Sequence, residues 1–554
     1  MTLTAAQDAA DATASKADFD VILIGAGLSG MQALFLMRNA GLRIQAFEMG
    51  GDVGGTWYWN RYPGARLDSE AYSYQFSFAE DLLEEWDWSE MYAAQPELEA
   101  YFQTVADRYD LRKDIKFNTK VTALDFDEAT SNWTVTTEQG DQYTAHIVIT
   151  ATGILSAPIY PRLQGMGTFK GESYHTALWP HDKEVTFDGK RVIVIGTGAT
   201  GIQVIAEVAK TAGHLTVFQR TPNWAIPLRN EPLTKERMAE IRLGYPEMFP
   251  FLQGTFSGFL HNWDPVPTTA YTEEGLRERF ETAWDGHGFS KWIGLPNDIA
   301  FDKVANQKWC DFLAEKIRER VKDPETAEKL IPKDHYFGTK RVPCETYYYE
   351  AYNQDNVDLI SIKENPILEV TETGVRCAAG HIEADMIIYA TGFEAFTGAL
   401  KRIDITGAGG KTIKDAWAAG PVTYLGLQVA GFPNLFIMGG PHGKGGHGNG
   451  PRCAEKVVEW MSDLAQRIVH EDIKRVEADP AAERDWTEEV QQRGMSGLMA
   501  QTRSAFFGDN VEEDDAAATP RKRVYLAYIG ALPEYIERLQ NLAQDGYPGF
   551  IITR

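Results

Sequence analysis

Short apolar runs recur along the chain, and two of them lead into glycine-rich turns. Residues 20–24 form an apolar run with β-branched side chains, which predicts a buried parallel strand. The glycine turn 25–30 follows, then a segment (31–40) whose apolar residues have helical spacing, then a second strand (42–47) that ends at Glu48. This order of strand, glycine turn, helix, strand and acid is typical of a dinucleotide-binding unit.

The same pattern occurs a second time. Residues 191–195 predict a strand, 196–201 a glycine turn, 202–210 a helix and 215–218 another strand. Two such units predict an α/β fold with two Rossmann-like dinucleotide-binding domains.

The 554 residues are too many for one hydrophobic core and imply several domains. Between the strands of the second unit lie helical charge patterns, which predict a helical insertion. The expected division is a disordered N-terminal tail (1–17), the first part of the first dinucleotide-binding domain (18–160), a linker (161–185), the first part of the second dinucleotide-binding domain (186–230), the helical insertion (231–335), the second part of the second domain (336–395), and the C-terminal part of the first domain (396–554) with a mobile loop near 501–521.

Composition narrows the range of partners. The chain has 54 basic and 79 acidic residues, a net charge of −25, which argues against nucleic acid or an anionic membrane as partner. Four scattered cysteines without a CxxC pair suggest neither disulfides nor a zinc site. No apolar run reaches the roughly 18 residues of a membrane helix, and the N-terminus lacks a signal-peptide pattern. We therefore expect a cytoplasmic protein without a metal; the oligomeric state stays open.

The two glycine turns differ in the residues that follow them. In such turns the glycines let the backbone approach a pyrophosphate, and the helix N-terminus attracts its charge. Glu48 is placed to accept from a ribose hydroxyl, whereas the equivalent position of the second unit is Gln219, followed by Arg220. Because an arginine attracts a 2′-phosphate that an acid would repel, we expect FAD at the first site and NADPH at the second. Reductases, oxidases and monooxygenases all remain compatible with this pairing.

Two further segments resemble one family. Residues 54–68 read GGTWYWNRYPGARLD, which resembles the flavin-proximal segment of type I Baeyer–Villiger monooxygenases. Residues 169–180 match the family fingerprint FxGxxxHxxxWP. Segments 218–224, 338–341, 431–436 and 546–550 are also similar, so the resemblance spans residues 18–554.

The resemblance implies an activity. In this family NADPH reduces FAD, O₂ forms a C4a-peroxyflavin, and a small-molecule ketone is converted to an ester or lactone. The rival hypotheses are an N- or S-oxygenating flavin monooxygenase, which Trp179 and Pro180 disfavour, and an uncoupled NADPH oxidase.

The resemblance also implies roles for individual residues. Arg341 matches the catalytic arginine, whose permanent charge suits a peroxide anion and a developing oxyanion. Asp68 matches the acid that orients it, and Lys340 matches the residue that grips the 2′-phosphate with Arg220 and Thr221. The expected cofactor-binding residues are Gly25, Gly27, Leu28, Ser29, Gly30, Glu48, Gly55, Thr56, Trp57, Tyr62, Asp68, Tyr74, Val121, Thr197, Gly198, Ala199, Thr200, Gly201, Gln203, Arg220, Thr221, Lys340 and Arg341.

Three positions have other interpretations. His175, inside the fingerprint, is expected to couple the domains rather than transfer protons. The glycine-rich loop 439–450 contains two histidines but no cysteine or carboxylate, so we expect it to pack near flavin or substrate rather than bind metal. Ala505 stands where many family members carry a tryptophan near the nicotinamide, with Phe506 as the alternative replacement.

Overall fold

The computed structural model describes residues 17–511 and 523–554. Most of the predicted N-terminal tail (1–17) and part of the predicted mobile loop (501–521) lie outside these residues. The remainder of that loop is described and contains the short 3₁₀ helix Ala505–Phe507.

Twenty strands form within the described residues. They are β1 (Phe19–Ile24), β2 (Ile44–Phe47), β3 (Ile115–Lys116), β4 (Val121–Asp127), β5 (Asn132–Thr137), β6 (Gln142–Thr150), β7 (Glu172–His175), β8 (Arg191–Ile195), β9 (His214–Gln219), β10 (Ile226–Pro227), β11 (Cys344–Glu345), β12 (Val357–Ser361), β13 (Ile367–Thr371), β14 (Gly374–Cys377), β15 (Gly380–Glu383), β16 (Met386–Tyr389), β17 (Asp404–Thr406), β18 (Leu435–Ile437), β19 (Arg475–Ala478) and β20 (Phe550–Thr553).

The α-helices of the described residues alternate with these strands. They are α1 (Leu28–Asn39), α2 (Thr56–Trp59), α3 (Glu80–Glu85), α4 (Gln95–Arg108), α5 (Ala199–Val208), α6 (Lys235–Leu243), α7 (Tyr245–Gly254), α8 (Glu273–Asp285), α9 (Lys303–Arg320), α10 (Pro324–Leu330), α11 (Tyr348–Ala351), α12 (Gly398–Lys401), α13 (Ile413–Ala416), α14 (Gly450–His470), α15 (Pro480–Met495) and α16 (Leu532–Gln544).

The first sheet carries the first glycine turn. Its order is β17-β4-β5-β6-β1-β2-β3, with β18 beside β6. The central strand β1 is parallel to both neighbours, Val21 lying opposite Ile44 on one side and Ile147 on the other. Strands β4 and β5 form an antiparallel hairpin, and β18 brings the C-terminal part of the chain back to this sheet.

The second sheet carries the second glycine turn and is parallel throughout, in the order β12-β9-β8-β16-β7. Its edge strand β7 comes from the segment predicted to be a linker (161–185), so that segment is part of the second domain as well as a connection. Tyr174 and His175 are buried there, and pairing with β16 satisfies the backbone of β7.

The predicted insertion (231–335) contains α6 to α10, and most of these helices share a core with the second sheet. Leu276 and Trp309 of the insertion pack in the same buried cluster as Val192 of β8. Tyr62 and Tyr92 of the first domain belong to that cluster too. The seam between the domains is therefore packed by side chains from both.

Truncating the insertion core should destabilise the protein. Trp309 is fully buried and its ring stacks on Phe312, with the centroids 5.0 Å apart. We expect Trp309→Ala to lower the free energy of unfolding by about 3–5 kcal/mol, because it leaves a cavity. Denaturant unfolding measures this loss. Phe301→Ala removes a ring that is 67% exposed and should change stability by less than about 0.5 kcal/mol; equal losses in both variants would contradict the packing described here.

Candidate active site

A cavity of about 2060 Å³ lies between the two domains, at the carboxyl ends of the parallel strands of both sheets. Pockets for drug-sized molecules measure about 300–1,000 Å³, so this one has room for more than one such ligand. All of the binding and catalytic residues predicted from the sequence line it except Gly30 and Gly201. Residues far apart in the chain are thus brought to one place.

The two glycine turns have nearly the same backbone geometry. Gly25 has a φ of +109° and Gly196 a φ of +112°, a region that side chains other than glycine rarely adopt. The helices α1 and α5 begin directly afterwards, with Gly27 and Gly198 as their N-caps. Both helix N-termini therefore present free N–H groups at the cavity, which suits an anionic group such as a pyrophosphate.

Gly30 and Gly201 lie behind these turns, so the prediction that they bind cofactor is not supported by their position. A Cβ on Gly30 would collide with the carbonyl oxygen of Gly25, and one on Gly201 with that of Gly196. Their small size lets each helix pack against its own turn. The motif uses glycine both where the backbone approaches a cofactor and where a helix packs closely on its turn. The sequence alone does not show which glycine has which role.

Glu48 gives the first site a carboxylate. Its Oε2 accepts from the Ala26 N–H at 2.8 Å and its Oε1 from the Gly50 N–H at 2.7 Å. Burial raises the pKa of Glu48, while these backbone hydrogen bonds act in the opposite direction. The side chain is fixed at the end of β2, with lone pairs left for a ribose hydroxyl.

The second site has cations at the matching end of β9. Arg220 and Lys340 both line the cavity. Burial lowers the pKa of Lys340, the Asp334 charge opposes this shift, and the charges of Arg220 and Lys363 add to it. The two turns therefore share a backbone shape and differ in electrostatics, as the sequence predicts.

The segment 54–68 forms the wall between the turns. Trp57, Trp59 and Tyr74 face the cavity, and the Trp57 Nε1 lies 3.4 Å from the Tyr74 hydroxyl oxygen. The Tyr62 hydroxyl donates to Gln203 Oε1 at 2.7 Å, and this hydrogen bond joins the two domains. Tyr62 and Gln203, both predicted to bind cofactor, thus also hold the seam.

Arg341 and Asp68 meet across the same seam. Arg341 Nη2 donates to Asp68 Oδ2 at 2.8 Å; the aspartate side chain is 6% exposed and the arginine side chain 48%. Burial raises the pKa of Asp68, and the Arg341 charge opposes that shift. The Phe289 ring centroid lies 5.9 Å from the guanidinium carbon, within cation–π range. A permanently charged donor therefore projects into a partly apolar part of the cavity.

Comparisons with known proteins agree with this geometry. Residues 18–287 match a family described as flavin-binding monooxygenase-like. Cyclohexanone 1,2-monooxygenase of an Acinetobacter species is 41% identical, with 97% of each chain covered. Phenazine N-monooxygenase PhzNO1 of Lysobacter antibioticus is 39% identical, also with 97% of each chain covered. A crystal structure of OTEMO in complex with FAD and NADP has a TM-score of 0.92 and 43% identity, covering 97% of this chain and all of that one.

The chain belongs to the Baeyer–Villiger monooxygenases of the flavin-binding monooxygenase-like family. The resemblance inferred from the sequence is thereby confirmed, and so is the fold class.

The fingerprint of the family contains His175, whose contacts join three segments. Its Nδ1 accepts from the Ala177 N–H at 3.1 Å, and its Nε2 lies 3.2 Å from the Ile159 carbonyl oxygen and 3.3 Å from the Thr391 hydroxyl. Burial lowers its pKa. These contacts fit the predicted role in coupling the domains.

The glycine-rich loop 439–450 lines the cavity along most of its length. Across the described ranges, no group of three or more histidine, cysteine or acidic side chains is arranged to hold a metal. Phe506 stacks on His447 of this loop, with the ring centroids 4.2 Å apart, whereas Ala505 is exposed. Ala505 and Phe506 both line the cavity, and Phe506 is the aromatic one of the two.

The aromatic wall beside Arg341 is not predicted from the sequence. Phe259 and Phe289 come from the helical insertion and pack edge to face, with centroids 5.0 Å apart. Their apolar pattern indicates burial, but not which buried residues border a cavity.

In the part of the chain that the structure describes, no helix is long and apolar enough to cross a membrane.

Acid should destabilise the protein through His442. This side chain is fully buried, and burial lowers its pKa to about 4. Between its ordinary pKa of about 6.5 and that value the unfolded chain binds a proton that the folded chain does not, so stability falls as pH falls, by at most about 1.4 kcal/mol per pH unit. His442→Asn, which tolerates the local φ of +63°, should flatten this dependence.

Unfolding midpoints measured between pH 7 and 4 check this expectation. The exposed His470→Asn is the matched control and should keep the wild-type slope. A slope unchanged in His442→Asn would show that this histidine does not contribute.

Proposed function

We propose that this chain converts ketones to esters or lactones with O₂, holding FAD at the first glycine turn and NADPH at the second. The observation that carries the proposal is the Arg341–Asp68 pair. It joins one domain to the other on the wall of a cavity that both turns share.

The residues present fit these two cofactors. The first turn, the carboxylate of Glu48 and the aromatic wall of Trp57 and Tyr74 suit a flavin dinucleotide. The second turn, with Arg220 and Lys340 at its far side, suits a dinucleotide that carries a 2′-phosphate. We assign the binding residues on this basis.

FAD reduced by NADPH supplies, when bound, the means of activating O₂ for attack on a ketone carbonyl. Arg341 then stabilises negative charge that develops on the oxygens, since a guanidinium keeps its proton at working pH. Asp68 fixes the orientation of that guanidinium through the 2.8 Å hydrogen bond. Because Asp68 is buried and Arg341 half-exposed, the pair presents its cation, not its anion, to the cavity.

Arg341→Ala should separate electron transfer from oxygenation. We expect the variant to keep FAD and to oxidise NADPH, but to form ester at least about 100-fold more slowly, because a preorganised donor to developing charge is lost. NADPH oxidation is followed with cyclic, linear and aryl ketones under air, H₂O₂ is assayed, and products are identified by a mass gain of one oxygen atom.

Arg376→Ala is the matched control, since Arg376 is exposed and pairs with Glu369 at 2.9 Å outside the cavity. Ester formation at the wild-type rate in Arg341→Ala would overturn the assigned role. NADPH consumption matched only by H₂O₂ in the wild-type protein, across the whole ketone panel, would favour an oxidase.

Oxygenation of nitrogen is the second candidate, because a phenazine N-monooxygenase matches this chain over nearly its full length. The same assay with an aromatic N-heterocycle in place of the ketone distinguishes the two. Product from the heterocycle and none from ketones would replace the first proposal with the second.

We infer that the protein works in the cytoplasm with small-molecule ketone and O₂ as its partners. All four cysteines are buried and unpaired, which fits a reducing compartment. The net charge of −25 supports the expectation that neither nucleic acid nor an anionic membrane is a partner.

A further inference from the structure

One end of the cavity gathers more charged groups than the two glycine motifs account for. Strands β9 and β12 are parallel neighbours, with Ser361 opposite Gln219. The Ile362 N–H continues the pairing by donating to the Gln219 carbonyl at 2.8 Å. In this register Ile362 lies opposite Arg220, and Lys363 follows at the same edge of the sheet; Arg220 and Lys363 both line the cavity.

Lys363 is held by an acid at this edge. Its Nζ lies 3.2 Å from Asp334 Oδ2, and Asp334 Oδ1 lies 2.8 Å from His335 Nδ1. His335 is anchored in turn, because its carbonyl oxygen accepts from Trp224 Nε1 at 3.1 Å. Asp334, His335 and Lys363 all line the same end of the cavity.

Arg220 and Lys340 differ from Lys363 in having no ion pair within residues 17–511 and 523–554. The cluster thus consists of two cations without an ion pair and one lysine paired with Asp334. The two unpaired cations match a phosphate monoester, which carries about −1.5 to −2 at pH 7. Burial lowers the pKa of Lys340, the Asp334 charge opposes this shift, and the charges of Arg220 and Lys363 add to it, so a dianion at this place would relieve the repulsion among the three cations.

We propose that Lys363 is a third cation for the 2′-phosphate and that Asp334 competes with the phosphate for it. This inference rests on the proposed function, since it assumes that NADPH binds at the second turn. It adds two residues that determine nucleotide preference. An acid at this position repels a 2′-phosphate but accepts from a free 2′-hydroxyl, so Asp334 limits the preference for NADPH over NADH.

The two residues should act in opposite directions. Lys363→Met removes a cation and should weaken the binding of 2′,5′-ADP about fivefold. Asp334→Asn removes only the negative charge, because the amide oxygen still accepts from His335, and should tighten 2′,5′-ADP about threefold. Neither should change the affinity for 5′-ADP, which lacks the 2′-phosphate, by more than about twofold.

Isothermal titration of the FAD-loaded protein with these two nucleotides measures the effect without turnover. Lys414→Met is the matched control: Lys414 pairs with Asp404 at 2.7 Å outside the cavity, so its loss changes net charge alone. The difference between Lys363→Met and wild type should shrink in high salt, because exposed charges are screened. The ratio of kcat/KM for NADPH and NADH should move with the affinities.

Two failures can be told apart. If wild-type protein binds 2′,5′-ADP no better than 5′-ADP, the assignment of NADPH to this site fails. If wild type discriminates and Lys340→Met loses discrimination while Lys363→Met does not, the proposed function stands and the role of Lys363 is overturned. Unchanged or weaker binding in Asp334→Asn would overturn the competition.

Discussion

The contact between Arg341 and Asp68 is the constraint on which the rest of the structure depends. A nearly buried carboxylate is costly without a partner, and its partner here belongs to the other domain. The domains must therefore meet in one arrangement for Asp68 to be compensated. The Tyr62–Gln203 hydrogen bond supports that arrangement, and so does the 2.9 Å hydrogen bond from the Thr502 hydroxyl to Thr339, two residues before Arg341.

The same glycine-turn backbone occurs at both proposed nucleotide sites, and the side chains near the two turns carry opposite charges. The turns at Gly25 and Gly196 have the same φ within a few degrees, and each opens a helix at the cavity. What differs is the end of the following strand, where one domain has a carboxylate fixed by backbone N–H groups and the other has cations. The electrostatic difference between the two sites thus lies in a few side chains on a repeated scaffold.

Local patterns account for what the sequence predicts well. The strand, turn and helix of each nucleotide unit are contiguous, so periodicity and glycine spacing suffice to place them. Strand β7 is not predicted from local patterns, because its partner β16 lies far along the chain and its own residues carry the family fingerprint. The position of Lys363 is not predicted for a similar reason, since only the pairing of β12 with β9 brings it to the same edge of the sheet as Arg220.

The helical insertion adds aromatic side chains to the site, and no sequence motif predicts them. The Phe289 ring centroid lies 5.9 Å from the guanidinium carbon of Arg341, and Asp68 accepts a hydrogen bond from that guanidinium, while about half of the arginine side chain stays exposed. Charge acts more strongly where water is excluded, and an aromatic wall excludes water while attracting the cation. The insertion therefore contributes to the electrostatics of the site as well as to the core of the second domain. Because about half of the Arg341 side chain is exposed and lines the cavity, its electrostatic field there strengthens when a ligand displaces the remaining water.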